Sequence, residues 1–130
     1  MIVLDYHDRR PIYEQITERF RQLILSGALE AGSRLPSVRQ LAMELSINPN
    51  TIQRAYMQLE QEGLVYPVKG KGNFIADSTS IRQISRKAYT QEIQALVRKG
   101  KTLGFGEEEL TDIVRDCYKE GKDDRSESMQ

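Results

Sequence analysis

The side chains best suited to specific chemistry in this sequence lie within one short segment, at Asn50, Thr51, Gln53 and Arg54. Asparagine and glutamine can each pair bidentately with adenine, and arginine with guanine, and a good pair discriminates against the wrong base by ~1–3 kcal/mol. If the segment begins a helix, these side chains can reach base edges in the major groove of DNA. The other interpretation is that they are solvated positions on a surface helix. The elements predicted on either side of this segment distinguish the two interpretations.

Catalytic or metal-dependent chemistry is poorly supported by the residues present. The 130 residues include a single histidine, His7, and a single cysteine, Cys117. A zinc site needs three or four ligands, and nucleophilic catalysis needs a base beside the nucleophile. The sequence therefore predicts that the protein is not an enzyme, with no catalytic residues, no metal and no cofactor. Cys117 falls in a helical apolar stripe, so we expect it to be a buried structural thiol.

The segment that could contact bases has the features of a helix start. Asn48 suits the N-cap, Pro49 suits the first helical position, and Gly63 suits the end of the helix. Apolar residues recur at helical spacing and predict the buried side, at Ile52, Ala55, Tyr56 and Leu59. A rotation of roughly 100° per residue then puts polar side chains on the opposite face.

Two further helices are predicted before this one. The first runs from Pro11 to about Ser26, with apolar residues at intervals of three and four. The second is short and ends near Leu45, and Ser37 and Gln40 at its start have the spacing of a capping box. About three residues separate it from the helix that follows, which is typical of a helix-turn-helix.

A β-hairpin is predicted directly after the helix-turn-helix. Leu64–Pro67 and Asn73–Ala76 have the pattern of short strands, and the glycine-rich turn 69–72 lies between them. A hairpin in this position is a wing. Its tip carries Lys69, Gly70 and Lys71.

Cations occur on three successive elements that could face one phosphate backbone: Arg39 on the short helix, Arg54 on the third helix, and Lys69 and Lys71 at the wing tip. The net positive charge available to attract DNA is small. Residues 34–76 contain five cations and three carboxylates, a balance of +2, and the whole chain balances 19 cations against 19 carboxylates. We therefore expect moderate affinity per subunit, so that two subunits would need to bind DNA together.

The chain beyond residue 76 is predicted to be helical and to need a partner. We interpret Asp77–Ser80 as a polar hinge, followed by a fourth helix that stops near Gly100 and a fifth that ends near Gly121. In the fourth helix, the step from Ala88 to Ile93 breaks the apolar rhythm. About 45 residues are too few for an independent core or an enclosed ligand pocket. A two-fold dimer is the favoured way to bury the apolar stripes, and packing against the first domain is the alternative.

Four strings occur in order with consistent gaps, namely LPSVRQLA at 35–42, NPNTIQRAY at 48–56, LEQEGL at 59–64 and GKGNFI at 70–75. Together they resemble the winged helix-turn-helix of GntR-family bacterial transcription regulators, over about residues 9–76. The resemblance implies DNA contacts by Arg39, by Asn48, Asn50, Thr51, Gln53 and Arg54, and by Lys69 and Gly70. Pro49 and Gln53 stand where many relatives have a second basic residue. The Asn-Pro-Asn-Thr start and short helical tail are similar to the YtrA-type subgroup, which implies a repressor of a nearby operon, often one encoding an ABC transporter.

The predicted fold is mainly α with a small β-hairpin wing. It comprises a winged helix-turn-helix DNA-binding domain at 1–76, a two-helix dimerisation region at 77–121 and a disordered tail at 122–130. The predicted function is a sequence-specific, homodimeric DNA-binding regulator, most consistent with a repressor, whose partner is double-stranded DNA with an inverted-repeat operator. The alternative is a winged-helix protein-interaction adaptor without DNA readout, which would be expected to present an apolar or acidic outer face.

Weaker features of the sequence bear on the cellular location of the protein and on effectors. No window approaches the ~18 uninterrupted apolar residues of a membrane span, and the charged residues that follow Met1–Leu4 do not fit a secretory signal. We therefore predict a cytoplasmic protein with no membrane partner. An unidentified small-molecule effector stays open, because a dimer interface can form a pocket that neither chain has alone.

Overall fold

The computed structural model describes residues 2–128, with side chains described through residue 121. The elements in chain order are helices α1 (Ile12–Leu25), α2 (Val38–Leu45) and α3 (Pro49–Gln61), strands β1 (Val65–Val68) and β2 (Gly72–Ile75), and helices α4 (Ser78–Thr102) and α5 (Glu107–Ser128). The chain divides into two compact units, one that ends at Lys87 and one that begins at Ala88. The predicted fold class, mainly α with a β-hairpin wing, is confirmed.

The core of the N-terminal unit is formed by the apolar faces of α1, α2 and α3 together with the hairpin. At its centre, the rings of Phe20 and Tyr56 meet edge to face, with centroids 5.8 Å apart and planes at 81°. The Tyr56 hydroxyl donates a hydrogen bond of 2.7 Å to the carbonyl oxygen of Pro36, just before α2. Burial raises the pKa of Tyr56, so the hydroxyl keeps its proton and stays a donor. Tyr56 thus ties α3 to both α1 and the start of α2.

The caps of the helix-turn-helix are confirmed, apart from half of the capping box. The Ser37 hydroxyl accepts from the Gln40 amide at 3.0 Å, but the Gln40 side chain donates to Glu44 instead of returning to Ser37. The turn requires one left-handed residue, which is Ser46 with φ 54°. Asn48 then caps α3 by accepting from the Asn50 amide at 2.8 Å. These local bonds set the direction in which α3 leaves α2.

The hairpin is confirmed, but its strands are shifted by one residue at each boundary, so that Gly72 of the predicted turn 69–72 begins β2. β1 and β2 pair antiparallel, from Val65 opposite Ile75 to Val68 opposite Gly72. The segment before α2 also pairs with β2, through a bridge between Arg34 and Phe74. The Leu35 amide donates to the Asn73 carbonyl oxygen at 2.9 Å. The wing is therefore held to the chain that enters the helix-turn-helix.

The prediction of a hinge at Asp77–Ser80 is wrong, because α4 begins at Ser78 and Asp77 caps its first turn. The Asp77 carboxylate accepts from the Ser80 amide at 2.8 Å, and hydrogen bonds from Ser80 hold the pKa of Asp77 below its usual value. Ile81 and Ile84 in the first turns of α4 pack against the core of the N-terminal unit. That packing is why this unit extends to Lys87, beyond the predicted boundary at residue 76.

The structure also differs from the prediction of a disordered tail at 122–130. α5 continues through Gly121 to Ser128, and residues 129–130 lie outside the described residues. A glycine inside a helix costs only ~1 kcal/mol relative to alanine, and most of the charged residues that follow are good helix formers.

α4 and α5 are 25 and 22 residues long. Even so, among the described residues no helix has the length and apolarity needed to cross a membrane.

The C-terminal unit exposes most of its apolar side chains. Gly100 is its one buried residue among those whose side chains are described, and a Cβ placed there would lie 3.5 Å from the Leu110 methyl groups. Cys117 is exposed, so the prediction of a buried thiol is wrong within this chain. The physical reason is that the apolar side chains of α4, of α5 and of the connection between them are left largely uncovered, at Tyr89, Ile93, Leu96, Val97, Leu103, Phe105, Ile113, Val114 and Tyr118.

A bidentate ion pair joins α1 to the end of α3. Arg21 Nε lies 2.6 Å from Glu62 Oε1, and Arg21 Nη2 lies 2.8 Å from Glu62 Oε2. These hydrogen bonds hold the pKa of Glu62 below its usual value and raise the pKa of Arg21. The pair therefore stabilises the packing of α3 on α1 only while Glu62 is ionised.

Replacing Glu62 should reveal this dependence on pH. Glu62→Gln is expected to lower the free energy of unfolding by about 0.5–1 kcal/mol at pH 7, because the pair is partly exposed and water screens it. Pairing lowers the pKa of Glu62, so its contribution is complete above the unfolded-state pKa of ~4.3 and is lost as pH falls through the folded-state value. Urea denaturation at pH 7 and pH 3 should show the difference between wild type and variant shrinking in acid.

The matched control for this prediction is Glu60→Gln, which removes an exposed carboxylate from the same helix. It should leave the free energy of unfolding at pH 7 nearly unchanged. A loss as large as that of Glu62→Gln would show that helix charge, and not the contact with Arg21, is responsible.

Candidate nucleic-acid interface

The outer face of α3 carries the side chains predicted to contact bases. Asn50, Arg54 and Met57 follow one another at intervals of four and three residues and are all exposed, opposite the buried stripe that begins at Ile52. Gln53 is exposed on one flank of this face, and Thr51 is half-buried on the other. A polar surface therefore begins in the first turn of α3, has Arg54 at its centre and ends at the exposed Met57.

The N-terminus of α3 is suited to contact a phosphate. Asn48 is exposed and uses its side-chain oxygen to cap the helix, so its amide N–H groups are what it can offer to DNA. The first backbone amides of any helix also present partial positive charge. Asn48 and the helix start can thus position the protein on the backbone while the following residues face the bases.

The remaining predicted contacts lie on α2 and on the wing. Arg39 is the second residue of α2 and is exposed. Lys69, Gly70 and Lys71 are exposed in the turn of the hairpin, where the Lys71 amide donates to the Val68 carbonyl oxygen at 2.9 Å. Gly70 has φ 78°, a left-handed conformation that glycine adopts without steric cost. The tip therefore presents two lysines on a tight, ordered turn.

The structure places one further cation, Arg34, beside the wing. The Arg34 guanidinium lies along the hairpin, where a Cβ at Gly72 would be 3.0 Å from Arg34 Nε. Arg34 is exposed. Glycine at position 72 leaves room for this side chain to cross the strand, and no local sequence signal pairs the two positions.

A second contact missed from the sequence involves the best candidate for guanine recognition. The guanidinium carbon of Arg54 lies 3.8 Å from the centroid of the Tyr13 ring. This distance is well within the range of a cation–π interaction. Tyr13 lies 41 residues earlier, on α1, so the pairing is decided by the packing of α1 against α3.

All nine predicted site residues lie in the N-terminal unit on three successive elements, and none is buried. α3 packs against both α2 and β1, so the helix-turn-helix and the wing belong to one framework. That all nine contact the same DNA duplex stays a prediction.

Comparison with protein-family models gives a match over residues 12–75 to "Bacterial regulatory proteins, gntR family". Among curated proteins, the chain is 32% identical over 118 residues to "HTH-type transcriptional repressor YtrA" of Bacillus subtilis (strain 168). That alignment covers 89% of this chain and 91% of the relative. The similarity therefore extends beyond the winged helix into the helical C-terminal unit.

Solved structures agree with this similarity. A GntR family transcriptional regulator from Listeria monocytogenes is 36% identical with a TM-score of 0.68, covering 87% of this chain and 98% of that one. The AraR DNA-binding domain in complex with operator ORR3 is 28% identical with a TM-score of 0.50, covering 57% of this chain and 89% of that one. The winged-helix part of the fold thus resembles a domain whose structure contains operator DNA.

Proposed function

Because this chain belongs to the GntR family of bacterial regulatory proteins and is a DNA-binding transcription regulator, we propose that it works as a homodimeric repressor at an inverted-repeat operator. The observation that carries the proposal is the exposed polar face of α3, which has Arg54 at its centre and the wing lysines on a neighbouring element. In the proposed complex, the start of α3 lies in the major groove. Arg39, Asn48, Lys69 and Lys71 contact the backbone, while Asn50, Thr51, Gln53 and Arg54 face the bases.

The proposed dimer rests on an uncovered seam of α4. Its exposed side chains recur at intervals of four and three, the heptad spacing by which two helices pack, at Tyr89, Ile93 and Leu96. The same spacing continues to the buried Gly100 and to Leu103, just past the end of α4. Tyr89 and Leu96 are 64% and 70% exposed within one chain. A second copy of the chain is the proposed partner that covers this seam. Two DNA-binding domains on one duplex add their binding energies, which compensates for the small positive charge of each domain.

The proposed regulatory role follows from the family resemblance. The target is a nearby operon that encodes an ABC transporter, and binding at its promoter reduces transcription. Since bacterial chromosomal DNA is cytoplasmic, the proposed role also assigns the protein to the cytoplasm. The proposal leaves the effector open. Deleting the gene should raise transcript levels of the neighbouring operon, and unchanged or lower levels would contradict repression.

The most direct test of the proposed function is selection of bound duplexes from random DNA by the purified full chain. The expected product is an inverted repeat with half-sites about one helical turn apart, ~34 Å from centre to centre. Equal affinity for all duplexes at fixed salt would contradict sequence-specific binding. Selection of a single, unrepeated half-site would contradict binding as a symmetric dimer.

Base readout and backbone contact should respond differently to mutation. Arg54→Ala is expected to cost about 1–3 kcal/mol on the selected operator and to relax selectivity at one base pair of each half-site. Lys71→Ala should weaken binding to matched and mismatched duplexes alike and reduce the salt dependence of affinity. Titrations by fluorescence anisotropy at several salt concentrations would measure both effects. Identical behaviour of the two variants would contradict the roles proposed for them.

A further inference from the structure

The contact between Arg54 and Tyr13 joins the outer face of α3 to the first turn of α1. The guanidinium carbon lies 3.8 Å from the ring centroid. Tyr13 is half-buried, packs against the core, and donates its hydroxyl to Glu14 at 3.2 Å. The ring is therefore held in place by the core side of α1. One face of the ring contacts Arg54, which lies on the surface predicted to bind DNA.

This contact is one of three that join α1 to α3 and its C-cap. Phe20 also meets Tyr56, and Arg21 pairs with Glu62 through two hydrogen bonds. Arg21 lies eight positions after Tyr13, and Glu62 lies eight positions after Arg54. Eight positions span about 12 Å of any α-helix, so the distance along α1 between these two contacts matches the distance along α3. The Tyr13 ring is thus part of the α1 framework that is fixed relative to α3.

We propose that Tyr13 is a positioning residue for Arg54, which holds the guanidinium in the orientation that discriminates one base pair of the operator. The proposal rests on the role of Arg54 in the proposed function. It assigns to α1 a part in sequence selectivity, whereas the residues predicted from the sequence to contact DNA all lie on α2, α3 and the wing.

The physical reason is the shape of the guanidinium. Its N–H donors lie in the plane of the group, so stacking of one face on an aromatic ring leaves the edge available for a bidentate bond to guanine O6 and N7. A free arginine side chain samples many rotamers, and ordering it on binding opposes association. A ring that already restricts these rotamers reduces that cost. The gain appears only at the base pair that Arg54 contacts.

The experiment uses the full chain and the operator duplex selected from random DNA, together with a panel of duplexes that carry each single base-pair change. Affinities are measured at one salt concentration for wild type, Arg54→Ala, Tyr13→Phe, Tyr13→Leu and the double variant Tyr13→Leu/Arg54→Ala. Tyr13→Phe keeps the aromatic face and removes the hydroxyl, and Tyr13→Leu keeps apolar packing and removes the face. Urea denaturation of each variant checks that the domain is folded.

Arg54→Ala is expected to abolish discrimination at one base pair of each half-site. Tyr13→Leu should reduce discrimination at that same base pair by about 2- to 5-fold, the effect of an exposed cation–π contact, and leave the other positions unchanged. Tyr13→Phe should behave as wild type, and the double variant should match Arg54→Ala. A general loss of stability would weaken binding to every duplex equally and could not produce this pattern.

Two results would overturn the proposal for Tyr13 while leaving the proposed function intact. One is a Tyr13→Leu profile identical to wild type at the base pair that depends on Arg54. The other is tighter operator binding by Tyr13→Leu, which would mean that the ring withholds Arg54 from DNA. If Arg54→Ala itself changes selectivity nowhere, base readout by Arg54 fails and the positioning role fails with it.

A measurement on the free protein tests the contact even if Tyr13→Leu is unstable. In the wild-type NMR spectrum, the δ-methylene protons of Arg54 should be shifted upfield by the Tyr13 ring, relative to those of the exposed Arg39. The shift should persist in Tyr13→Phe. Arg54 signals that coincide with those of Arg39 would overturn the proposal.

Discussion

Leu96→Glu is expected to convert the protein to a monomer and to weaken operator binding by about 100-fold or more. Leu96 is 70% exposed in one chain and lies in the middle of the α4 seam, so a carboxylate there would be placed in the apolar interface of the proposed dimer. An unpaired charge is strongly disfavoured in such a site. When the dimer is lost, each DNA-binding domain has to bind alone, with its balance of only +2 over residues 34–76.

Sedimentation and operator titration would measure the two parts of this prediction. Gln91→Glu is the matched control, because it adds the same charge to the opposite side of α4, where Gln91 is exposed. It should remain a dimer and bind nearly as wild type. A Leu96→Glu protein that stays dimeric would contradict the seam as the interface, and a monomer with wild-type affinity would contradict the need for two subunits.

Tyr56→Ala is expected to lower the free energy of unfolding by about 3–5 kcal/mol, the range for large aromatic residues removed from a core. Tyr56 is 1% exposed, and its ring contacts Phe20 while its hydroxyl bonds to Pro36. Because small domains are stable by only about 5–15 kcal/mol, the change should leave the DNA-binding domain marginally folded. Operator binding should be lost on warming at temperatures where wild type still binds.

Two companion variants separate the contributions of the Tyr56 side chain. Tyr56→Phe should cost about 1–2 kcal/mol, because the Pro36 carbonyl loses its partner while the ring stays packed. Tyr6→Ala is the matched control, since Tyr6 is 72% exposed, and it should change stability little. Urea unfolding followed by circular dichroism would measure all three. A Tyr6→Ala loss equal to that of Tyr56→Ala would contradict the attribution to core packing.

The helix-turn-helix and the reading face could be predicted from the sequence because their signals are local. Ser37 and Asn48 cap the helices that follow them by bonds to backbone amides two or three residues away. Burial of the stripe on α3 follows from helical spacing alone, with Ile52 and Leu59 fully buried as predicted. Once one face is buried, the exposed positions of Asn50 and Arg54 follow from the same periodicity.

Two errors in the C-terminal half, the boundary at residue 76 and the burial of Cys117, depend on what packs against an apolar face of a helix. The break in rhythm between Ala88 and Ile93 marks a change from one apolar stripe of α4 to another. Ile81 and Ile84 pack on the N-terminal core, whereas the seam that begins at Tyr89 is uncovered. Periodicity detects that residues share a face, but it does not say what covers that face. For this reason the sequence misplaced both the boundary at residue 76 and the burial of Cys117.

Local patterns in the amino-acid sequence thus determined the helices, the caps, the wing turn and the residues offered to DNA, because each depends on neighbours within a few positions. Only the tertiary structure decided which of those residues have supporting partners. Tyr13 reaches Arg54 across 41 positions and Arg34 reaches the strand at Gly72 across 38. These contacts exist because α1 packs on α3 and the chain before α2 pairs with β2. The sequence pattern of one segment does not indicate which other segment packs against it.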